Sequence, residues 1–119
     1  QVVMVFYWQV RGDTIHTQFK KGVLELLVLC IVRDKDIYGY ELVEKVREII
    51  DVNEGTIYPI LKRLTNEGYF ETYLKESSEG PARKYYQITV LGIQHQEKVL
   101  AEWNTFSEKI NQFIKERDS

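Results

Sequence analysis

The sequence predicts a mainly α fold with a small β-hairpin, arranged as a winged helix-turn-helix followed by a long C-terminal helix. Three observations carry that prediction. Two helical stretches, one over residues 38–50 and one from Asn53 to Gly68, are joined by only a few residues, and the second carries cations on its polar side. Two strand-like segments then flank Ser77-Ser78-Glu79-Gly80-Pro81-Ala82, a run dense in turn formers. Lastly, Val99, Trp103, Phe106, Ile110 and Phe113 recur by 4, 3, 4 and 3, which is the spacing of a narrow helical seam.

Size and composition bound the answer. The chain has 119 residues, 44% hydrophobic and 29% charged, which fits one globular domain with a modest core. Its formal net charge of -2 argues against a chain that coats nucleic acid indiscriminately, although a local cationic face suffices for a specific binder. The lone Cys30 excludes an internal disulfide, and a reducing cytoplasm fits; in its apolar run it reads as a small core residue. No membrane span is expected: the longest apolar run, Val23 to Val32, is broken by Glu25 and falls short of the ~20 residues a span needs. Residues 1–12 are rich in Val, Phe, Tyr and Trp yet lack the basic start and length of a signal peptide. They form an N-terminal segment without an assigned role, either a short extra strand or an arm on a neighbour. The winged helix is expected over residues 13–89 and the C-terminal helix over 90–119.

The first helix is expected from about Thr14 to Arg33. Val23, Leu24, Leu26, Leu27, Val28, Leu29, Ile31 and Val32 occupy almost every side of it, so it reads as a buried central strut. Arg33-Asp34-Lys35-Asp36 is a charged turn. The second helix runs from about Tyr38 to Ile50, with Asp36 as its expected cap and Leu42, Val43, Val46, Ile49 and Ile50 as its apolar face. Gly39 at its start points to close approach of another backbone.

The third helix is the candidate recognition helix. Ile57, Ile60, Leu61 and Leu64 form its buried stripe, and Thr56, Tyr58, Lys62 and Arg63 its polar face. A hydroxyl, a phenol and two cations are the groups that reach phosphates and base edges, although a merely solvated face has the same composition. Asn53 is a good cap, but Pro59 would then fall inside the hydrogen-bond ladder; with Thr56 as the cap it lies in the first turn. Gly68 closes the helix as a left-handed residue. Strands over Tyr69–Glu76 and Arg83–Thr89 make the wing, with Arg83 and Lys84 beside its tip. Lys62, Arg63, Arg83 and Lys84 are expected to share one basic face. Thr56 is expected to meet a thymine methyl and Tyr58 a base edge or phosphate; for Tyr58 the alternative is packing against the second helix.

The final helix, Leu91 to about Arg117, is read as a dimerisation helix. A seam of Val99, Trp103, Phe106, Ile110 and Phe113 projecting from a small domain usually buries itself against a partner chain, the alternative being a return to its own core. Facing Trp103 indoles across a two-fold axis would sandwich a flat aromatic ligand, or simply pack together.

From about Gln18 to Phe113 the chain resembles the PadR family of winged-helix transcriptional regulators. The resemblance rests on Lys21-Gly22-Val23-Leu24-Glu25-Leu26-Leu27-Val28-Leu29, Tyr38-Gly39-Tyr40-Glu41-Leu42, and Gly55-Thr56-Ile57-Tyr58-Pro59-Ile60-Leu61-Lys62-Arg63-Leu64. Glu67-Gly68-Tyr69, Glu79-Gly80-Pro81-Ala82-Arg83-Lys84-Tyr85-Tyr86 and Glu102-Trp103 follow in order. It implies a homodimeric repressor that pairs through its C-terminal helix, binds a palindromic operator in double-stranded DNA and leaves it when a small effector binds. The single final helix resembles the short-tailed, multidrug-binding members, in which tryptophans hold planar aromatic drugs. Trp103 is the matching position, and planar aromatic or phenolic molecules are the expected effectors. An enzyme is not expected: His16 and His95 lack metal spacing, and neither a nucleophile elbow nor a phosphate-binding glycine loop is present. No cofactor or metal is expected. The remaining rival is a winged-helix protein-interaction module that does not bind DNA.

Overall fold

The computed structural model describes residues 15–118; the N-terminal segment of residues 1–12 lies outside the described residues. Among the described residues four helices and a small sheet follow one another as α1 (Ile15–Asp34), β1 (Ile37–Tyr38), α2 (Gly39–Ile49), α3 (Glu54–Asn66), β2 (Phe70–Lys75), β3 (Arg83–Ile88) and α4 (Val90–Asp118). The expected hairpin is present and gains a third strand. The sheet is antiparallel in the order β1-β3-β2, with Ile37 opposite Tyr86 and Tyr38 opposite Tyr85. Ile37, which follows the charged turn, and Tyr38, expected to open the second helix, thus form an edge strand, too short for periodicity to reveal.

The core is built where the helical stripes converge on α1. Leu24, Val28, Leu29 and Val32 of α1 meet Leu42, Val43 and Val46 of α2 and Ile57, Leu61 and Leu64 of α3, closed by Ile37, Phe70 and Tyr86 from the sheet. Helix α1, apolar on nearly every side, is buried at Leu24, Leu26, Val28, Leu29 and Val32, while Val23, Leu27 and Ile31 remain half-buried. Ile49 departs from the expected stripe: it is exposed at the last turn of α2.

Local chemistry fixes the joints. Asp36 does not cap α2. It accepts from the Tyr73 hydroxyl at 2.7 Å and from Gln87 Nε2 at 3.3 Å, tying the helix approach to the outer sheet face. Gly39 does make room for a neighbour, but chiefly for a ring: a Cβ there would lie 3.2 Å from Cε1 of Tyr86. At the end of α3, Gly68 takes φ 87°. Its amide donates to Thr65 O and that of Tyr69 to Leu64 O, both at 3.0 Å, the paired closure of a Schellman turn. Thr89 caps α4, accepting from the Gly92 amide at 2.9 Å while its hydroxyl donates to the Gly68 carbonyl at 2.7 Å. A Cβ on Gly92 would collide with the Tyr69 carbonyl, so only glycine lets α4 start this close to the sheet.

Candidate nucleic-acid interface

Helix α3 starts at Glu54 because Asn53 caps it, its Oδ1 accepting from the Gly55 amide at 2.9 Å. A Cβ on Gly55 would sit 3.1 Å from that oxygen. The alternative start at Thr56 is overturned, and Pro59 stands inside the helix, withholding one donor from the ladder. The buried stripe is Ile57, Leu61 and Leu64, with Ile60 half-buried. The opposite side leaves Tyr58 and Lys62 exposed and Thr56 half-buried.

Tyr58 belongs to a tyrosine-rich surface. Partial burial, the Glu54 carboxylate, and the neighbouring Tyr86, Tyr38 and Tyr40 raise its phenol above the ordinary value, so the hydroxyl stays protonated and able to donate. Burial likewise pushes the Tyr86 phenol up. Lys84 Nζ lies 5.6 Å from the Tyr86 ring centre, and the Arg83 guanidinium 4.9 Å from that of Tyr38. Strand alternation separates these two cations: Arg83 points to the outer face of the sheet and Lys84 to the face shared with the core. On the outer face Tyr38, Tyr85 and Tyr73 stack across all three strands, with ring centres 6.0 and 5.6 Å apart. Lys75 adds a third cation over Tyr85 at 5.2 Å.

The four expected cations are therefore not one uniform face. Lys62 makes no ion pair among the described residues. Arg63, by contrast, is held by Glu25 through Nη2 and by Glu67 through Nη1, the latter at 3.3 Å. The hydrogen bond to Glu25, the charges of both carboxylates and that to Glu67 raise its pKa against the opposing effect of burial. The sequence reading assigned no role to Glu25 or to the Tyr38–Tyr85–Tyr73 ladder. Glu25 had a signal: a carboxylate in an otherwise apolar helix needs a partner. The ladder had none, because it depends on β1.

The C-terminal helix gives the second surface. Val99 packs on the core. Beyond it Trp103, Phe106, Ile110 and Phe113 are 42%, 60%, 46% and 58% exposed. Trp103, Phe106, Ser107 and Ile110 line a groove of about 730 Å³ with Gly22 and Val23 of α1. Among the described residues no helix is long and apolar enough to cross a membrane.

Comparison with known proteins places this arrangement. The family model of the transcriptional regulator PadR-like family matches residues 28–98, from the middle of α1 into α4. The chain belongs to the PadR-like family of transcriptional regulators. It is 41% identical to the crystal structure of a PadR-like transcriptional regulator from Bacillus cereus, covering 82% of this chain and 96% of that one with a TM-score of 0.74. A curated relative from Lysinibacillus sphaericus, an uncharacterised protein, is 32% identical over 109 residues, 88% of this chain and 95% of the relative. The transcriptional activator GvpE2 of Halobacterium salinarum is 37% identical over 100 residues. These cover 81% of this PadR-like chain and 48% of GvpE2.

Proposed function

We propose that this PadR-like regulator is a homodimeric repressor that binds a palindromic operator and is released by a small planar aromatic or phenolic effector. The observation that carries the DNA reading is α3 itself: a capped helix with its stripe buried, presenting Thr56, Tyr58 and Lys62 beside a cationic wing. In a helix-turn-helix the N-terminal part of the recognition helix faces the bases, which assigns readout to Thr56 and Tyr58 and phosphate contact to Lys62. A wing that enters a groove meets a phosphate strand on each side, so Arg83 and Lys84 on opposite faces both reach backbone. Arg63 joins this set only if it leaves its carboxylates.

Dimerisation rests on the exposed row Trp103, Phe106, Ile110 and Phe113, with Val99 at its inner end. The effector reading rests on the apolar groove beside Trp103. An effector acts there only by binding the DNA-competent and DNA-free dimers unequally.

The test is operator affinity against salt for the unaltered chain and for Lys62→Ala/Lys84→Ala. The double variant weakens binding to all sequences and flattens the salt slope by about one unit per lost phosphate contact; an unchanged slope would move the DNA surface elsewhere. For the effector, Trp8→Phe leaves Trp103 as the one tryptophan. Planar aromatic cations and phenolic acids are titrated while fluorescence and operator binding are followed together. Quenching with loss of operator binding, both absent in Trp103→Ala, supports the groove. Loss that survives Trp103→Ala places the effector elsewhere. A reporter driven by the selected operator decides repression against activation.

A further inference from the structure

Glu25 stands where three helices meet. It lies on α1 with 24% of its side chain exposed. One carboxylate oxygen receives Arg63 Nη2 from the last turn of α3; the other lies 3.3 Å from His95 Nε2 on α4. The His95 ring in turn stacks flat on Tyr69, with centres 4.0 Å apart and planes within 1°, and Tyr69 is the residue that closes the α3 turn. Burial pushes the Glu25 carboxyl up, but the hydrogen bonds and charges of Arg63 and His95 outweigh it and hold the group below the usual carboxylate range. It is therefore ionised at neutral pH and engaged on both oxygens.

The same α1–α4 seam is fastened again beside His95 on α4 and one to two turns beyond Glu25 on α1. Arg33 donates to Gln96 Oε1 at 2.6 Å and to Glu97 at 3.1 Å, and the buried Gln96 reaches Cys30 Sγ at 3.3 Å. Helices α1 and α4 thus form a frame, and Glu25 is the charged link from that frame to α3. The Asn53 cap fixes one end of α3, and the Glu25–Arg63–Glu67 fork fixes the other.

We propose that Glu25 is a positioning residue for DNA binding: it sets the pitch of α3 against α1 and α4 through Arg63, which works as an internal strut and not as a phosphate contact. This rests on the DNA-binding reading of α3. A strut and a phosphate contact give opposite signs. If Arg63 touched phosphate, removing the Glu25 charge would free the cation and strengthen DNA binding. As a strut, Arg63 needs Glu25, and losing either partner weakens binding without releasing fewer counterions.

The experiment measures operator affinity from low to high salt for the unaltered chain, Glu25→Gln, Arg63→Gln and the double variant. The strut predicts about a tenfold loss for each single variant, as for a charged hydrogen bond. It predicts a double variant no worse than the weaker single and salt slopes equal to that of the unaltered chain. Tighter binding by Glu25→Gln, or a slope flattened by about one unit in Arg63→Gln, overturns it. A mutation-free readout guards against variants that do not fold: NMR of the Arg63 guanidinium in the unaltered chain. Hindered rotation of its Nη groups, with and without operator, supports the strut; free rotation overturns it. Failure of the unaltered chain to bind any selected DNA would instead refute the DNA reading, and the positioning role with it.

Discussion

The winged-helix body and the outer half of α4 use similar apolar residues and treat them in opposite ways. In the body, Leu24, Leu29, Leu42, Ile57, Leu61 and Leu64 are wholly buried, and the helix ends are closed by Asn53, Thr89 and the Gly68 turn. Past Val99, α4 carries Trp103, Phe106, Ile110 and Phe113 into solvent along a helix of 29 residues, about 43 Å at 1.5 Å per residue. The described residues satisfy the first region and leave the second unfinished. Exposed aromatic rows of this kind mark interaction surfaces, and the proposed occupant is a second copy.

The largest effect is expected from charging the unfinished surface. Ile110→Asp places a carboxylate on each side of the proposed interface, an effect of several kcal/mol if both stay ionised and unpaired. Sedimentation should show monomers whose near-ultraviolet circular dichroism is unchanged in the body. An intact dimer would mean that the row meets something else. Leu61→Ala attacks the finished region instead. It should cost about 2–5 kcal/mol in urea unfolding, compared at one protein concentration because dimerisation adds to apparent stability. A loss well under 1 kcal/mol would mean that the α3–α1 contact is looser than the structure has it.

The two regions also differ in how their signals are written in the sequence. The body was legible because its signals are local: the stripe Ile57-Leu61-Leu64, the Gly68 stop and the turn formers before Arg83 each act within a few residues. The seam of α4 was legible for the same reason, since a heptad pattern needs no knowledge of what covers it. What failed to appear depended on distant pairing. Strand β1 exists only because Tyr86 and Tyr85 lie beside Ile37 and Tyr38. Asp36 looked like a helix cap until Tyr73 and Gln87, far along the chain, claimed its carboxylate. Arg63 looked like a free cation until Glu25 and Glu67 were seen to hold it. Of the two caps open in the sequence, Asn53 and Thr56, the second would spare Pro59, but the reach of Asn53 to the Gly55 amide outweighs that one lost ladder bond.

Smaller effects sharpen the picture of α3. Asn53→Ala should lower stability by about 1 kcal/mol, with Asn53→Ser close to the unaltered chain; equal losses for both would remove the cap from the account. Acid titration of Glu25 is the finest test. Its folded-state pKa is depressed, so its contribution is present above the unfolded value and lost as pH falls through the folded one. Glu25→Gln should therefore lower the urea midpoint near neutrality and flatten its decline below about pH 4.5. Parallel curves for the two proteins would separate Glu25 from acid stability.

In the proposed complex, two chains joined through α4 present two copies of α3 to one operator. Selection of bound sites from random duplex DNA by the purified chain measures this. The expected product is an inverted repeat with half-site centres one helical turn apart, about 10–10.5 base pairs, or a multiple of that, with no enrichment for Ile110→Asp. A single asymmetric site occupied by one chain, or no enriched sequence at all, would contradict it.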